Sequence, residues 1–312
     1  MQNRPDLIGF GAVAVDDLFY IPKYPASDSK IQIEKHLRLG GGLAGTALVA
    51  AARLGANPSY FGLLGDDDLS TFTRDAFEQE GVSTDLCIFD AKAKPLHSII
   101  LVDQTNGVRT IFYSLQGFRT PLEHAISRER FSGCEMILID TFAAPVFSHV
   151  CRLARELEIP ILADIEDCTI GNQGNVLDLI DFLIFNLKHA IEMTGYENIM
   201  QILNRLESPT RQATVITAGA KGCWFKEIGK QAFFLPAYKV DAVDTTGCGD
   251  VFHGAFAASI LRQNTIPDAV IEASAAAAIK ATVPGGRTGI PKLEQLHSFI
   301  ANHNDIKPEI AS

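Results

Sequence analysis

The chain has no apolar run near the ~20 residues that a membrane-spanning helix needs, so a membrane partner is not expected. It has no basic tract either. Its 27 Lys and Arg are outnumbered by 37 Asp and Glu, for a net charge of -10, and that balance argues against nucleic acid or an anionic membrane surface as partner. The six cysteines (Cys87, Cys134, Cys151, Cys168, Cys223 and Cys248) include no C-x-x-C pair. Neither a zinc site nor a disulfide framework is indicated, and reduced thiols fit a cytoplasmic location. No repeat and no low-complexity linker divides the chain. Residues Met1 to Asp6 lead into a short apolar strand and do not read as a signal peptide. What is present is an ordinary globular balance, 47% hydrophobic and 21% charged over 312 residues. That length allows two domains or one long α/β domain.

The apolar pattern reads as strands alternating with helices. Leu7 to Val15 is a continuous small-and-apolar run, as in a buried parallel strand, ending at Asp16-Asp17. An acid there is either a ligand-facing residue or a turn aspartate. Leu18 to Leu39 reads as irregular short strands apart from the main sheet. Gly40-Gly41-Gly42 precedes an Ala-rich helix over Leu43 to Leu54, and the glycines allow close approach of a ligand or of another strand. Pro58 to Leu64 reads as a strand, and Asp66-Asp67-Asp68 as the acidic start of a helix rather than a metal site. His97 to Val102 and Val108 to Ser114 flank Asn106-Gly107, a hairpin signal. These two β excursions, about 17–39 and 96–116, predict a small sheet acting as a lid. An apolar face on it would suit a homodimer.

From Pro121 onward strands and helices alternate regularly, which predicts right-handed crossovers and a mostly parallel central sheet with helices on both faces. Strands end at Asp164, at Asn186 and at Thr217, the last followed by Ala218-Gly219-Ala220-Lys221-Gly222. Asp268 to Ala281 is a second Ala-rich helix. The tail after Asn302 has no pattern and is expected to be mobile.

The most informative stretch is Asp244-Thr245-Thr246-Gly247-Cys248-Gly249-Asp250, running into an apolar helix. Gly247, Cys248 and Gly249 at a helix N-terminus make a candidate anion hole. Asp250 is placed to take a proton from a hydroxyl. An anion hole beside a base fits phosphoryl transfer, and an Asp-capped helix after a Gly-rich loop fits the same residues.

These residues resemble the second signature of the ribokinase-like (PfkB) carbohydrate kinases. Asp16, Gly41-Gly42, Ala51 to Ala56 and Gly65-Asp66-Asp67 resemble other parts of that family in the same order. The resemblance implies an α/β sandwich with a β-lid, forming a single domain over 1–312. It implies ATP as donor, Mg2+, and transfer of the γ-phosphoryl group to a sugar-type hydroxyl. Asp250 would be the general base, with the amides of Gly247, Cys248 and Gly249 holding developing charge. Asp16, Gly41, Gly42 and the residue at Thr46 would bind the acceptor. Asn186, Thr217, Gly219, Gly222 and Thr245 would face the nucleotide. Asp244, Thr246 and carbonyls near Ala281 and Gly286 would match the K+ loop of many members.

Several departures stand out. Thr46 replaces an Asn, Leu43 replaces the Lys of ribokinase itself, and the Asn-x-x-Glu pattern reads Asn186-Leu187-Lys188-His189. Asp164 or Glu166 is the candidate to take over Mg2+ through water. Pro236 to Val243 and Ala278 to Pro291 look most like bacterial sulfofructose kinases, although both lie mostly on the ATP side. Arg109 and Arg119 are either binders of an anionic sugar or solvated arginines. A nucleoside kinase of the same fold, with Phe19, Tyr20 and Phe112 as a stacking wall, is the alternative enzyme. A catalytically weak sugar- or nucleotide-binding protein is the alternative from another class.

Overall fold

The computed structural model describes residues 4–105, 108–166 and 175–311. The Asn106-Gly107 turn and Cys168 lie outside the described residues. In chain order the first strands and helices are β1 (Leu7–Phe10), β2 (Ala14–Ile21), β3 (Lys35–Gly41), α1 (Leu43–Arg53), β4 (Pro58–Tyr60), β5 (Leu63–Leu64) and α2 (Asp68–Gln79). Next come β6 (Ile88–Phe89), β7 (Leu96–Asp103), β8 (Arg109–Ser114), β9 (Met136–Asp140), α3 (Phe147–Glu156), β10 (Ile161–Asp164), β11 (Phe182–Asn186), α4 (Leu187–Thr194) and α5 (Ile199–Arg205). The last are β12 (Ala213–Thr217), β13 (Gly222–Glu227), β14 (Ala232–Pro236), α6 (Cys248–Leu261), α7 (Ile266–Ala281), α8 (Leu293–Asn302) and β15 (Glu309–Ile310).

A nine-stranded sheet has the order β15-β14-β13-β12-β11-β10-β9-β1-β4. Strands β4 through β12 in that order pair parallel, while β13, β14 and β15 close the edge antiparallel. Alternation along the strands divides the core in two. Leu7, Leu138, Leu162 and Ile184 face α1, α6 and α7, while Ile8, Ile137, Ile161 and Leu183 face α3 and α5. Each fully buried aliphatic side chain of this kind contributes about 1.5–3 kcal/mol. Among the described residues no helix is long and apolar enough to cross a membrane.

The second sheet has the order β3-β2-β7-β8, and it corrects the expected strand Leu7 to Val15. That run breaks after Phe10, and Ala14 onward joins the small sheet. The cause is Asp140 at the end of β9, which accepts from the amides of Ala12 (2.8 Å), Ala44 (2.9 Å) and Phe142 (2.7 Å). A Cβ at residue 11 would lie about 2.1 Å from that carboxyl group, so only glycine fits where the chain turns. Asp16 is therefore in the small sheet, not at the end of a central strand. Pro58 to Leu64 likewise divides, with Leu63–Leu64 pairing with β6 in a separate pair of strands. The tail ends in the short strand β15, which pairs along the open edge of β14 (Phe233 with Ile310).

The acidic run at 66–68 is structural. Asp67 caps α2, accepting from the amides of Leu69 (3.0 Å) and Ser70 (3.3 Å). Asp68 bonds Arg38 of β3 at 2.5 Å, which ties the small sheet to α2.

Helices α1, α6 and α7 pack through small residues. At Gly254 the approach is so close that a Cβ would lie 2.0 Å from the Ala47 carbonyl oxygen. This contact fixes the tilt of α6, whose first turn carries Asp250.

Candidate active site

Gly247 precedes α6 in the left-handed region, at φ 75°, and a Cβ there would meet the Gly286 carbonyl oxygen at 2.9 Å. Val251 N donates to Gly247 O at 2.9 Å and starts the helix. The Cys248 amide is occupied, donating to Thr245 O at 3.2 Å. Among the described residues the amides of Gly247, Gly249 and Asp250 have no hydrogen-bond partner. The candidate anion hole is therefore shifted from the expected Gly247, Cys248 and Gly249 to Gly247, Gly249 and Asp250. The helix N-terminus adds its own preference for an anion.

Asp250 is half-buried. Its carboxyl group is pushed well above the usual carboxylate range by burial, then by the like charges of Asp164, Glu166 and Asp140, with Arg287 opposing. Asp164 at the end of β10 is raised for the same reasons, burial first and then Glu166 and Asp140. His253, one turn along α6, links this group to the sheet. Its Nδ1 lies 2.8 Å from Gly249 O and 3.4 Å from Asp164 Oδ2, and its Nε2 lies 3.3 Å from Ile184 O. Burial lowers its pKa. Among the described residues no three His, Cys, Asp or Glu side chains are grouped to hold a metal ion directly. The hard carboxylate oxygens of buried Asp164 and exposed Glu166 suit a Mg2+ that keeps its waters.

The acceptor candidates gather around a residue that the pattern did not single out. Arg287 is 8% exposed, and among the described residues it has no carboxylate within ion-pair distance. Its Nη2 donates to Gly41 O at 2.5 Å and its Nε to Thr46 Oγ1 at 3.3 Å, while the guanidinium lies 5.4 Å from the Phe77 ring centroid. Burial lowers its pKa to about 10, against the charges of Asp16, Glu80 and Asp250. Asp16 is half-buried and raised by burial, with Ser98 and Arg287 lowering it. A Cβ at residue 41 would lie 2.3 Å from Asp16 Oδ2, and one at residue 40 would lie 2.2 Å from Arg287 Nη1. The glycines at 40 and 41 thus let a carboxylate and a guanidinium flank one strand end. Gly42 caps α1 against the Ala12 carbonyl.

On the other side of α6 is a cavity of about 600 Å³ lined by Thr217, Gly219, Gly222, Thr245, Cys248 and Gly249, among others. Four of the five expected nucleotide residues meet there. The fifth, Asn186, does not line it. Its Oδ1 accepts from His189 N at 3.0 Å and caps α4, and its Nδ2 lies 2.5 Å from His189 Nδ1. With His189 in place of a glutamate, the pair closes on itself. The Cys248 thiol is raised by burial, with Lys280 opposing, as befits a packed thiol rather than a reactive one.

Asp244 anchors the motif. Its Oδ1 accepts from Arg109 Nη1 (2.6 Å) and Thr246 N (2.8 Å), and its Oδ2 from Gly285 N (2.8 Å). Its backbone oxygen accepts from Lys280 Nζ at 2.7 Å. Burial would raise the carboxyl group, but the Gly285 and Thr246 hydrogen bonds and the Lys280 charge hold it at about 2. Arg109, expected at an anionic acceptor, is committed to Asp244 and also donates to Thr246 Oγ1. Arg119 is largely exposed and lies 3.8 Å from Asp90.

A carboxylate at the head of a glycine-led helix, open amides beside it, and a large cavity against the same turn are arranged as a phosphotransferase site on an α/β sandwich would require. The match of residues 12–293 to the model of the pfkB family carbohydrate kinases places the chain in that family. It is 27% identical to the aminoimidazole riboside kinase of Salmonella typhimurium, over 86% of this chain and 90% of the relative. It is 23% identical to the ribokinase of Haemophilus influenzae, over 95% and 99%. Among solved structures, Arabidopsis thaliana ribokinase complexed with ribose and ATP superposes at a TM-score of 0.82, with 20% identity over 95% of this chain and 99% of that one. That likeness shows the fold.

Proposed function

We propose that the protein transfers the γ-phosphoryl group of ATP to a hydroxyl of a sugar or sugar derivative. The observation that carries this reading is the first turn of α6, where Asp250 stands beside the open amides of Gly247, Gly249 and Asp250 and next to the cavity. The acceptor hydroxyl gives its proton to Asp250, and its oxygen bonds to the γ-phosphorus. The bond from that phosphorus to the β-phosphate oxygen breaks, and ADP leaves. The open amides receive charge developing on the phosphoryl oxygens. Asp16, Gly41 and Gly42 orient the acceptor, with Arg287 fixing Gly41 and Thr46 from behind. Asp164 and Glu166 would hold Mg2+ through water, and the ion would neutralise phosphate charge.

The sheet formed by β2, β3, β7 and β8 serves as a lid over the acceptor and excludes water as it closes. Ile111, Phe112 and Tyr113 are all more than half exposed on it, which supports a homodimer through this sheet. Free cysteines among the described residues and an acidic surface suit the cytoplasm. The Salmonella relative favours a nucleoside as the second acceptor class. The expected stacking wall is weakened, because the Phe19 ring is already stacked on His36 at 4.6 Å. A screen of ATP consumption with neutral sugars, phosphosugars, sugar acids, sulfosugars and nucleosides tests the reading. Turnover with a sugar class supports it, turnover with nucleosides alone selects the second reading, and ligand binding without turnover favours a binding protein.

A further inference from the structure

The loop between Asp244 and Gly286 is where the resemblance calls for a monovalent cation, and the donors present do not fit one. Both carboxylate oxygens of Asp244 already accept hydrogen bonds, Oδ1 from Arg109 and Thr246 N and Oδ2 from Gly285 N. The Thr246 hydroxyl is bonded to Arg109. The Ala281 carbonyl accepts from Val243 N (2.8 Å) and Asp244 N (3.0 Å), so it joins two segments rather than facing an ion. Of the four expected positions, only Thr246 and Gly286 keep a backbone oxygen without a hydrogen bond among the described residues, too few on their own for a cation that takes about six or more oxygens.

The charges point the same way. Lys280 is 0% exposed, and its ammonium donates to Asp244 O at 2.7 Å. Among the described residues it has no carboxylate within ion-pair distance. Lys280 and Arg109 together bring two positive charges to the single negative charge of Asp244. An added K+ would enter a loop that already holds an ammonium and a guanidinium against Asp244. An ammonium has nearly the size of K+ and makes comparable contacts to oxygen. Lys280 therefore presents, on a rigid helix, the charge that a bound ion would otherwise supply.

We propose that Lys280 is a tethered replacement for the monovalent cation, a positioning residue that orders Asp244 to Gly249 without K+. The effect on turnover rests on the kinase reading above, whereas the effect on stability does not. The thermal unfolding midpoint is therefore measured first, in KCl against choline chloride at equal ionic strength, for the wild type and for Lys280→Met and Lys280→Ala. The wild type is expected to show no K+-specific shift, and at least one variant is expected to gain one with K+ or NH4+ that Na+ does not reproduce. With the acceptor found in the screen, wild-type turnover should change by no more than ~2-fold on K+ removal, and the variants should lose at least ~10-fold, partly restored by K+. A K+-specific stabilisation of the wild type, or folded variants with full turnover and no K+ response, would overturn the proposal. If the variants do not fold, the wild-type K+ comparison alone still decides it. Failure of every acceptor would count against the kinase reading and leave the stability comparison intact.

Discussion

Replacement of Arg287 by methionine separates the acceptor side of the site from the nucleotide side. Methionine keeps much of the aliphatic stem and removes the guanidinium. The Gly41 carbonyl then loses its donor at 2.5 Å and Thr46 its donor at 3.3 Å. A buried acceptor left unmade costs about 1–3 kcal/mol. The lost contact with the Phe77 ring adds up to about 2 kcal/mol for a desolvated pair. Against this, the buried charge no longer has to be kept from water, so the expected net loss is about 2–4 kcal/mol, roughly 3–6 °C in the unfolding midpoint for a chain of this length. Asp16 also loses its compensating charge, so the acceptor KM should rise ~10-fold or more while the ATP KM stays within ~2-fold. Urea unfolding and two-substrate steady-state kinetics supply the readouts. Stability within about 0.5 kcal/mol of wild type together with an unchanged acceptor KM would refute the role given to Arg287.

Other perturbations probe the remaining parts. Asp250 must be ionised to accept a proton, and burial and neighbouring acids raise its carboxyl group. The acidic limb of kcat/KM should therefore lie above the ordinary carboxylate range near ~4, and Asp164→Asn, measured at saturating Mg2+, should move it to lower pH by removing a like charge. The same shift means that the folded chain binds more protons than the unfolded one in that window, so this group's contribution to stability falls as pH rises through it. Asp17 behaves oppositely: hydrogen bonds from Arg38, then His97 and His36, hold its carboxyl group below the usual range. Asp17→Asn should lower stability at neutral pH, and the difference from wild type in urea titrations should close as pH falls below ~4. Gly254→Val should cost about 1–3 kcal/mol or more in overpacking against Ala47 and depress kcat by tilting α6, whereas an unchanged kcat would mean the tilt is not critical.

How much the sequence revealed depended on the range of the interaction. Short-range chemistry was readable: the glycine before α6, the Asp67 cap, and the alternation of strands and helices after Pro121. The anion-hole stretch was readable as a motif, but the particular amides were not, because the Thr245 carbonyl takes that of Cys248. Long-range partners left almost no local signal. The break in the run Leu7 to Val15 is imposed by Asp140, 128 residues from Ala12 in sequence. Arg287 reads as an ordinary loop arginine until Gly41 and Thr46 are seen against it. Lys280 did leave a trace, a lone basic residue spaced four and three from Ala276 and Ala277 on an otherwise apolar face. His253 stands within the apolar run after Asp250 and could have been noticed in the same way.

The central claim is that Asp250 takes the acceptor proton, and Asp250→Asn tests it most directly. Turnover with the screened acceptor should fall by at least ~10²-fold, while ATP affinity, measured by calorimetry, stays within ~2-fold because the cavity lining is unchanged. Near-full turnover in a folded Asp250→Asn protein would contradict the account.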